Sequence, residues 1–264
     1  MLSRRNMGNP ATKHAGRKTH DDRSIEELEQ DLNLHDLSEV PLKEGSIAPG
    51  MLIRCATLDE LTTNEWQALT SAHRLGLVVD LRGQAEIPER FGVFASSAKS
   101  ACVPCATVNL HLEGLGLLMP KWQRSFGPAW VRMRRKLWAD PETIFKKMYA
   151  ALVLDADNQQ NMGRFFAFAL MPYDGAFAWH CAQGTDRTGI MAALLLEVLG
   201  AERNTIVEHY AACYAHGTPA DPRPQLLAAY EAIEGSYGSV EAYLTDALGV
   251  TAAMQENLRE RFLL

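Results

Sequence analysis

The strongest constraint on the fold lies between Ala176 and Leu199. Ala176 to His180 reads as a short buried strand, a glycine-containing loop follows, and Thr188 to Leu199 is an apolar helix. Comparable runs alternate upstream. Gly50 to Arg54 reads as a strand and Thr62 to Arg74 as a helix, with Trp66, Leu69 and Ala72 on one face and Gly76 as its stop. Leu77 to Val79 is a β-rich run ending in Asp80, Leu81 and Arg82, and Ala106 to Leu110 is a further strand. Helices are predicted over Trp130 to Trp138, from Pro141 onward and over Met162 to Leu170. Alternation of this kind predicts an α/β fold with a mostly parallel central sheet flanked by helices and a helical C-terminal part. Ligands of such sheets sit beyond the carboxyl ends of the strands, so the loops after Val79 and Trp179 should face one crevice.

Composition narrows the class. With 264 residues and 47% hydrophobic content, the chain can bury a sizeable core, which excludes disorder throughout, collagen and a disulfide scaffold. It holds no run of eighteen apolar residues, so no transmembrane segment is expected, and the basic start lacks the apolar core of a secretory signal. Five cysteines form an odd, sparse set that fits reduced thiols and a cytoplasmic location. The net charge of −6 disfavours nucleic-acid partners. Residues 1–20 carry +5, leaving −11 for the rest. We therefore read 1–30 as a disordered basic tail and 31–264 as one catalytic domain.

The loop His180-Cys181-Ala182-Gln183-Gly184-Thr185-Asp186-Arg187-Thr188-Gly189 carries the chemistry. A short loop curling before a helix start turns backbone N–H groups toward one point and cradles a phosphate-sized anion. Residues Ala182 to Arg187 would form that cradle, and Gly184 lets the chain curl. Cys181 lies under the same field as a thiolate nucleophile. Arg187 offers a planar fork that binds two phosphoryl oxygens at once. Thr188 can donate to the thiolate when it leaves. His180 supports the loop by hydrogen bonding.

The Cys-x5-Arg loop resembles the signature of protein tyrosine phosphatases. Its Asp-Arg-Thr-Gly ending is similar to the atypical bacterial and fungal tyrosine and lipid phosphatases, whose usual loop is HCxAGKDRTG. Asn33 to Leu37 resembles that family's NFRDLGG opening, Gly50 to Cys55 its GxLxRS segment, Leu75 to Arg82 with Glu86 its LGIxTVxDLRxxxE strand, and Tyr237 to Leu244 its YGSxxxYL helix start. The resemblance implies a phosphatase fold, a cysteinyl-phosphate intermediate and no metal. Its substrates would be phosphorylated proteins, phosphotyrosine first, or phosphoinositides and inositol phosphates.

The family's general acid matches Asp186. Asp80 is the rival, with Arg82 to orient it or the loop, or to join it and Glu86 in a structural ion-pair network. Asp36 is a third option. Departures from the pattern also bear on substrate. Thr185 stands where the family has Lys, which counts against phosphoinositides, and Gln183 is a further departure from the loop pattern. Cys55 replaces a Ser, and Ser38-Glu39 the paired glycines. The segment Ala211 to Asp221 is short where many relatives insert lid helices, implying an open site.

Other features have plainer accounts. Cys102 and Cys105 have half a zinc spacing, but no second pair follows. Lys121 to Lys136 carries six basic residues and no acid, which reads as a solvated helix face or as a peripheral contact with anionic surfaces. Two further readings stand beside the phosphatase: a sulfurtransferase, disfavoured by the gap before Arg187, and a phosphate-binding interaction module without turnover.

Overall fold

The computed structural model describes residues 23–83, 103–110, 141–214 and 221–264. The predicted helix Trp130 to Trp138, the basic stretch Lys121 to Lys136, Glu86, Cys102 and the first 22 residues lie outside them.

Among the described residues the strands form one five-stranded sheet in the order β1 (His35–Asp36), β2 (Leu52–Cys55), β5 (Ala176–His180), β3 (Leu75–Asp80), β4 (Cys105–Thr107). Only the β1–β2 pairing is antiparallel; β2, β5, β3 and β4 run parallel. The mostly parallel sheet of the α/β reading is thus present. Its register matters for the site: Cys55 and Asp80 both pair with His180, so β2, β3 and β5 end abreast and their loops share one edge.

Side-chain alternation divides the core. Phe177 and Trp179 of β5, with Leu52, Leu77 and Val79, face a large helical layer, while Ala176 and Ala178, with Ile53, Cys55 and Val78, face a smaller cluster built on Trp66, Leu69 and Leu28. The smaller cluster is roofed by α1 (Ile25–Asp31) and α2 (Thr63–His73). Both helices open on a capping box, Ser24 with Glu27 and Thr62 with Glu65. The larger layer comprises α3 (Pro141–Leu154), α4 (Ala156–Ala169), α5 (Asp186–Leu199), α6 (Arg203–Ala212), α7 (Arg223–Tyr237), the short α8 (Val240–Ala242) and α9 (Ala252–Phe262). Helix α5 is buried on every side from Arg187 to Leu199 except at Glu197, as expected for a helix that is apolar all round after its first turn and sits at the centre of a layer.

Three sequence expectations need correction. Residues 25–30, assigned to the tail, form most of α1: Leu28 is fully buried and Arg23 pairs with Glu65 at 2.6 Å, so the folded body starts before residue 31. Gly76 does not stop α2. The left-handed cap is Arg74 at φ 49°, and Gly76 lies inside β3, where a Cβ would stand 2.2 Å from the Asp174 carbonyl oxygen. The glycine answers close approach of another backbone, a demand that helix-stop chemistry does not anticipate. Finally, α5 begins at Asp186 and not at Thr188, which puts Asp186 and Arg187 in its first turn.

Candidate active site

The loop after β5 is held from below by the ends of the neighbouring strands. Thr57 N donates to Ala182 O at 3.1 Å and Leu81 N to His180 O at 2.8 Å, which ties the loop to β2 and β3. Gly184 takes φ +71°, and a Cβ there would lie 2.7 Å from Cys55 and Ala56 backbone atoms. The glycine is therefore required twice, for its dihedral and for its contact. Its carbonyl accepts 2.6 Å from Nη2 of Arg54, a side chain that is 1% exposed.

Cys181 is 2% exposed at the floor of this loop, while Ala182 and Gln183 are exposed at its rim. Thr185 is the N-cap of α5 but makes no side-chain cap bond; its hydroxyl instead donates to Asp186 Oδ2 at 3.2 Å. The start of α5 thus receives no acceptor from its cap, the arrangement that leaves a helix N-terminus for an anion. Arg187 is buried, and its Nη1 donates to Leu110 O just beyond β4 at 3.2 Å. The hydroxyl of Thr188 is buried without a hydrogen-bond partner among the described residues, while its carbonyl accepts from Trp179 Nε1 at 3.1 Å.

The three carboxylates sit in different surroundings. Asp186 is half-buried and accepts from the hydroxyls of Tyr149 on α3, Tyr214 just past α6 at 2.8 Å, and Thr185. The Tyr149 and Tyr210 hydroxyls are themselves bonded at 2.6 Å, and burial holds both phenols far above their ordinary range, so they stay neutral donors. Asp80 is 3% exposed, and both of its oxygens are taken by Arg82, through Nε at 3.0 and 3.2 Å and Nη2 at 2.7 Å. Arg82 also binds Asp59 at 2.5 and 3.0 Å and Thr57 Oγ1 at 3.0 Å. Burial opposes ionisation of Asp59, but the Arg82 hydrogen bonds outweigh it and hold that carboxyl below its usual range. Asp36 accepts from the backbone of Ser38 at 3.0 Å and Gly50 at 2.7 Å, the geometry of a turn anchor.

His180 is fully buried, with Nδ1 on Cys181 O at 3.0 Å, and burial lowers its imidazole below the ordinary value. Cys55, Cys105, Cys181 and Cys213 are free thiols, and Cys55 packs with the α1–α2 cluster while Cys181 packs with the helical layer. Among the described residues no group of three His, Cys, Asp or Glu side chains could hold a metal ion, and no helix is long and apolar enough to cross a membrane.

Sequence reasoning did not single out Arg54, Asp59 or the tyrosines Tyr149, Tyr210 and Tyr214. Tyr210 and Tyr214, four apart at the end of a helix, were the one local signal that a pair of hydroxyls shares a face.

A family model and two sequence relatives point to one family. A model described as the tyrosine phosphatase family matches residues 26–264. A tyrosine-protein phosphatase of Nostoc commune is 26% identical over 244 residues, 82% of this chain and 75% of that protein. A second relative, from Cupriavidus necator, is 23% identical over 202 residues, 68% of this chain and 67% of that protein. The crystal structure of TpbA from P. aeruginosa is similar at 15% identity with a TM-score of 0.34, covering 88% of this chain and 91% of that one.

Proposed function

The chain belongs to the tyrosine phosphatase family of phosphoric monoester hydrolases, and on that premise we propose that it hydrolyses phosphotyrosine in proteins through a cysteinyl-phosphate intermediate. What carries this reading is the loop itself: Cys181 at the end of a buried strand, Arg187 in the first turn of α5, and Gly184 folding the chain between them.

In the first step the Cys181 sulfur attacks phosphorus and the bond to the substrate oxygen breaks. Arg187 holds two of the phosphoryl oxygens, and the α5 start stabilises the charge that gathers on them. Asp186, oriented by Tyr149, Tyr214 and Thr185, protonates the leaving oxygen. In the second step water gives a proton to the Asp186 carboxylate as it attacks phosphorus, the sulfur departs as thiolate, and the Thr188 hydroxyl donates to it. Asp80 serves on this reading as a structural anion, buried and bound at both oxygens by the charged Arg82, whereas Asp186 is half-buried at the start of α5 and bonded only to neutral hydroxyls. Asp36 keeps the opening motif folded.

The test is hydrolysis of an aryl phosphate, phosphotyrosine peptides and phosphoinositides by the wild type and by Cys181→Ser. We expect turnover of the first two, none by Cys181→Ser, and trapping of a phosphopeptide by that variant. A wild type that turns over none of the three from pH 5 to 8 overturns the reading. Preference for phosphoinositides over peptides moves the protein to the lipid branch.

A further inference from the structure

Arg54 is the most deeply buried arginine among the described residues, 1% exposed, and nothing in the steps above uses it. It stands in β2 one residue before Cys55, which pairs with His180. Its Nη2 reaches up to the Gly184 carbonyl at 2.6 Å, so the guanidinium lies directly beneath the phosphate-cradling loop. Its Nε and Nη1 have no hydrogen-bond partner among the described residues, and no carboxylate there forms an ion pair with it. A charged group so far from water, with one neutral hydrogen bond, is costly unless an anion compensates it.

The titratable groups around Arg54 do not supply that anion. Those it acts on are His35 on β1, Cys55 on its own strand, and His209, Tyr210 and Cys213 on or just past α6; the carboxylates that act on the same groups, Asp80 on Cys55, Asp186 on Tyr210 and Glu39 on Cys213, form no ion pair with Arg54. Burial pushes the Cys55 thiol up to about 12, the Cys213 thiol upward and the Tyr210 phenol well upward, while burial with Arg54 pushes the two imidazoles down. These five groups stay neutral around pH 7. The anions left are those the loop itself handles, the Cys181 sulfur and the phosphoryl group.

We propose that Arg54 is a positioning residue that acts as the buried counter-charge of the loop, fixing Gly184 through its hydrogen bond and stabilising thiolate and bound phosphate from beneath. Arg187 binds phosphate from within the loop; Arg54 works through the loop backbone without touching substrate. The inference rests on the phosphatase reading of the same site.

The experiment compares wild type, Arg54→Gln and Arg54→Lys on an aryl phosphate from pH 4 to 8, with orthovanadate inhibition and a thermal midpoint for each. Gln keeps a donor for Gly184 without the charge, and Lys keeps the charge. We expect the acid limb of kcat/KM in Arg54→Gln to move up by about one pH unit and vanadate inhibition to weaken on the order of tenfold. Arg54→Lys should keep both within about threefold of wild type. An Arg54→Gln protein with the wild-type acid limb and vanadate affinity overturns the inference and leaves the phosphatase reading intact. If Arg54→Gln does not fold, Arg54→Lys decides, because vanadate affinity lost despite a retained charge overturns it equally. A wild type that neither turns over aryl phosphate nor binds vanadate fails the phosphatase reading itself.

Discussion

Both carboxylate oxygens of Asp80 are bound by one guanidinium, that of Arg82, at 2.7 to 3.2 Å, and the same guanidinium reaches Asp59 on the loop after β2. The pair joins the carboxyl ends of β2 and β3 directly beside His180. Removing one member of a buried pair strands its partner, so Asp80→Asn should cost about 3 kcal/mol of stability. Its residual activity should fall by the same factor on aryl and alkyl phosphates. A loss concentrated on alkyl phosphates, the poor leaving groups, would instead make Asp80 the acid.

Asp186→Asn should show the opposite pattern. The general-acid share of the rate is typically about 10² to 10⁴, and it is largest for poor leaving groups. Alkyl phosphate turnover should therefore collapse while an activated aryl phosphate retains most of its rate. Tyr149→Phe removes a hydroxyl bonded to both Asp186 and Tyr210, and the loss of one such bond, about 1 kcal/mol, predicts a several-fold fall in kcat. Comparing the two variants across leaving groups separates proton donation from positioning: Tyr149→Phe should weaken the leaving-group dependence without erasing it.

Much of this arrangement was legible beforehand. The strand Ala176–His180 stands where the β-rich run put it, because a buried parallel strand is a short continuous apolar stretch with clear ends. The turn after it was legible as a short glycine-containing loop, and Gly184 takes the positive φ that such a loop needs. The tyrosine partners of Asp186 were not, since Tyr149 lies 37 positions before it and Tyr214 28 after it, and only the folded chain brings the three together. Arg54 was hidden for another reason. An arginine in a strand is ordinarily read as surface, and only the register of β2 against β5 shows that it lies under the loop. Gly76 and Gly184 look alike in sequence, yet one admits a neighbouring backbone and the other also needs a positive φ.

Gly184→Ala tests the second of those demands. A Cβ would meet Cys55 and Ala56 backbone at 2.7 Å, and the left-handed dihedral costs a non-glycine residue roughly 1 to 2 kcal/mol on its own. Relief requires the loop to lift away from β2, which stretches the Arg54 bond to Gly184. Activity should drop at least about tenfold, with weaker vanadate binding and a lower thermal midpoint. A variant that melts earlier but binds vanadate like wild type would show that the loop reshapes without losing its cradle.

Acid sensitivity should come in part from His209. Burial, then Arg54, then His35 push its imidazole down to about 3, and its Nε2 lies 3.5 Å from the Cys213 sulfur. An imidazole lowered on folding is neutral in the native state and gains its proton more readily when unfolded. Its contribution to stability is therefore complete above the unfolded value near 6.5 and is lost as pH falls toward the folded value. By pH 5 this one group should have removed about 2 kcal/mol relative to pH 7.5. Burial lowers His180 and His35 as well, so the slope for the whole protein should be steeper. In His209→Gln the thermal midpoint should fall less than in wild type between pH 7.5 and 5. Equal falls would place the acid sensitivity elsewhere, because carboxylates titrating in the same range contribute alike to both proteins and cancel in the comparison.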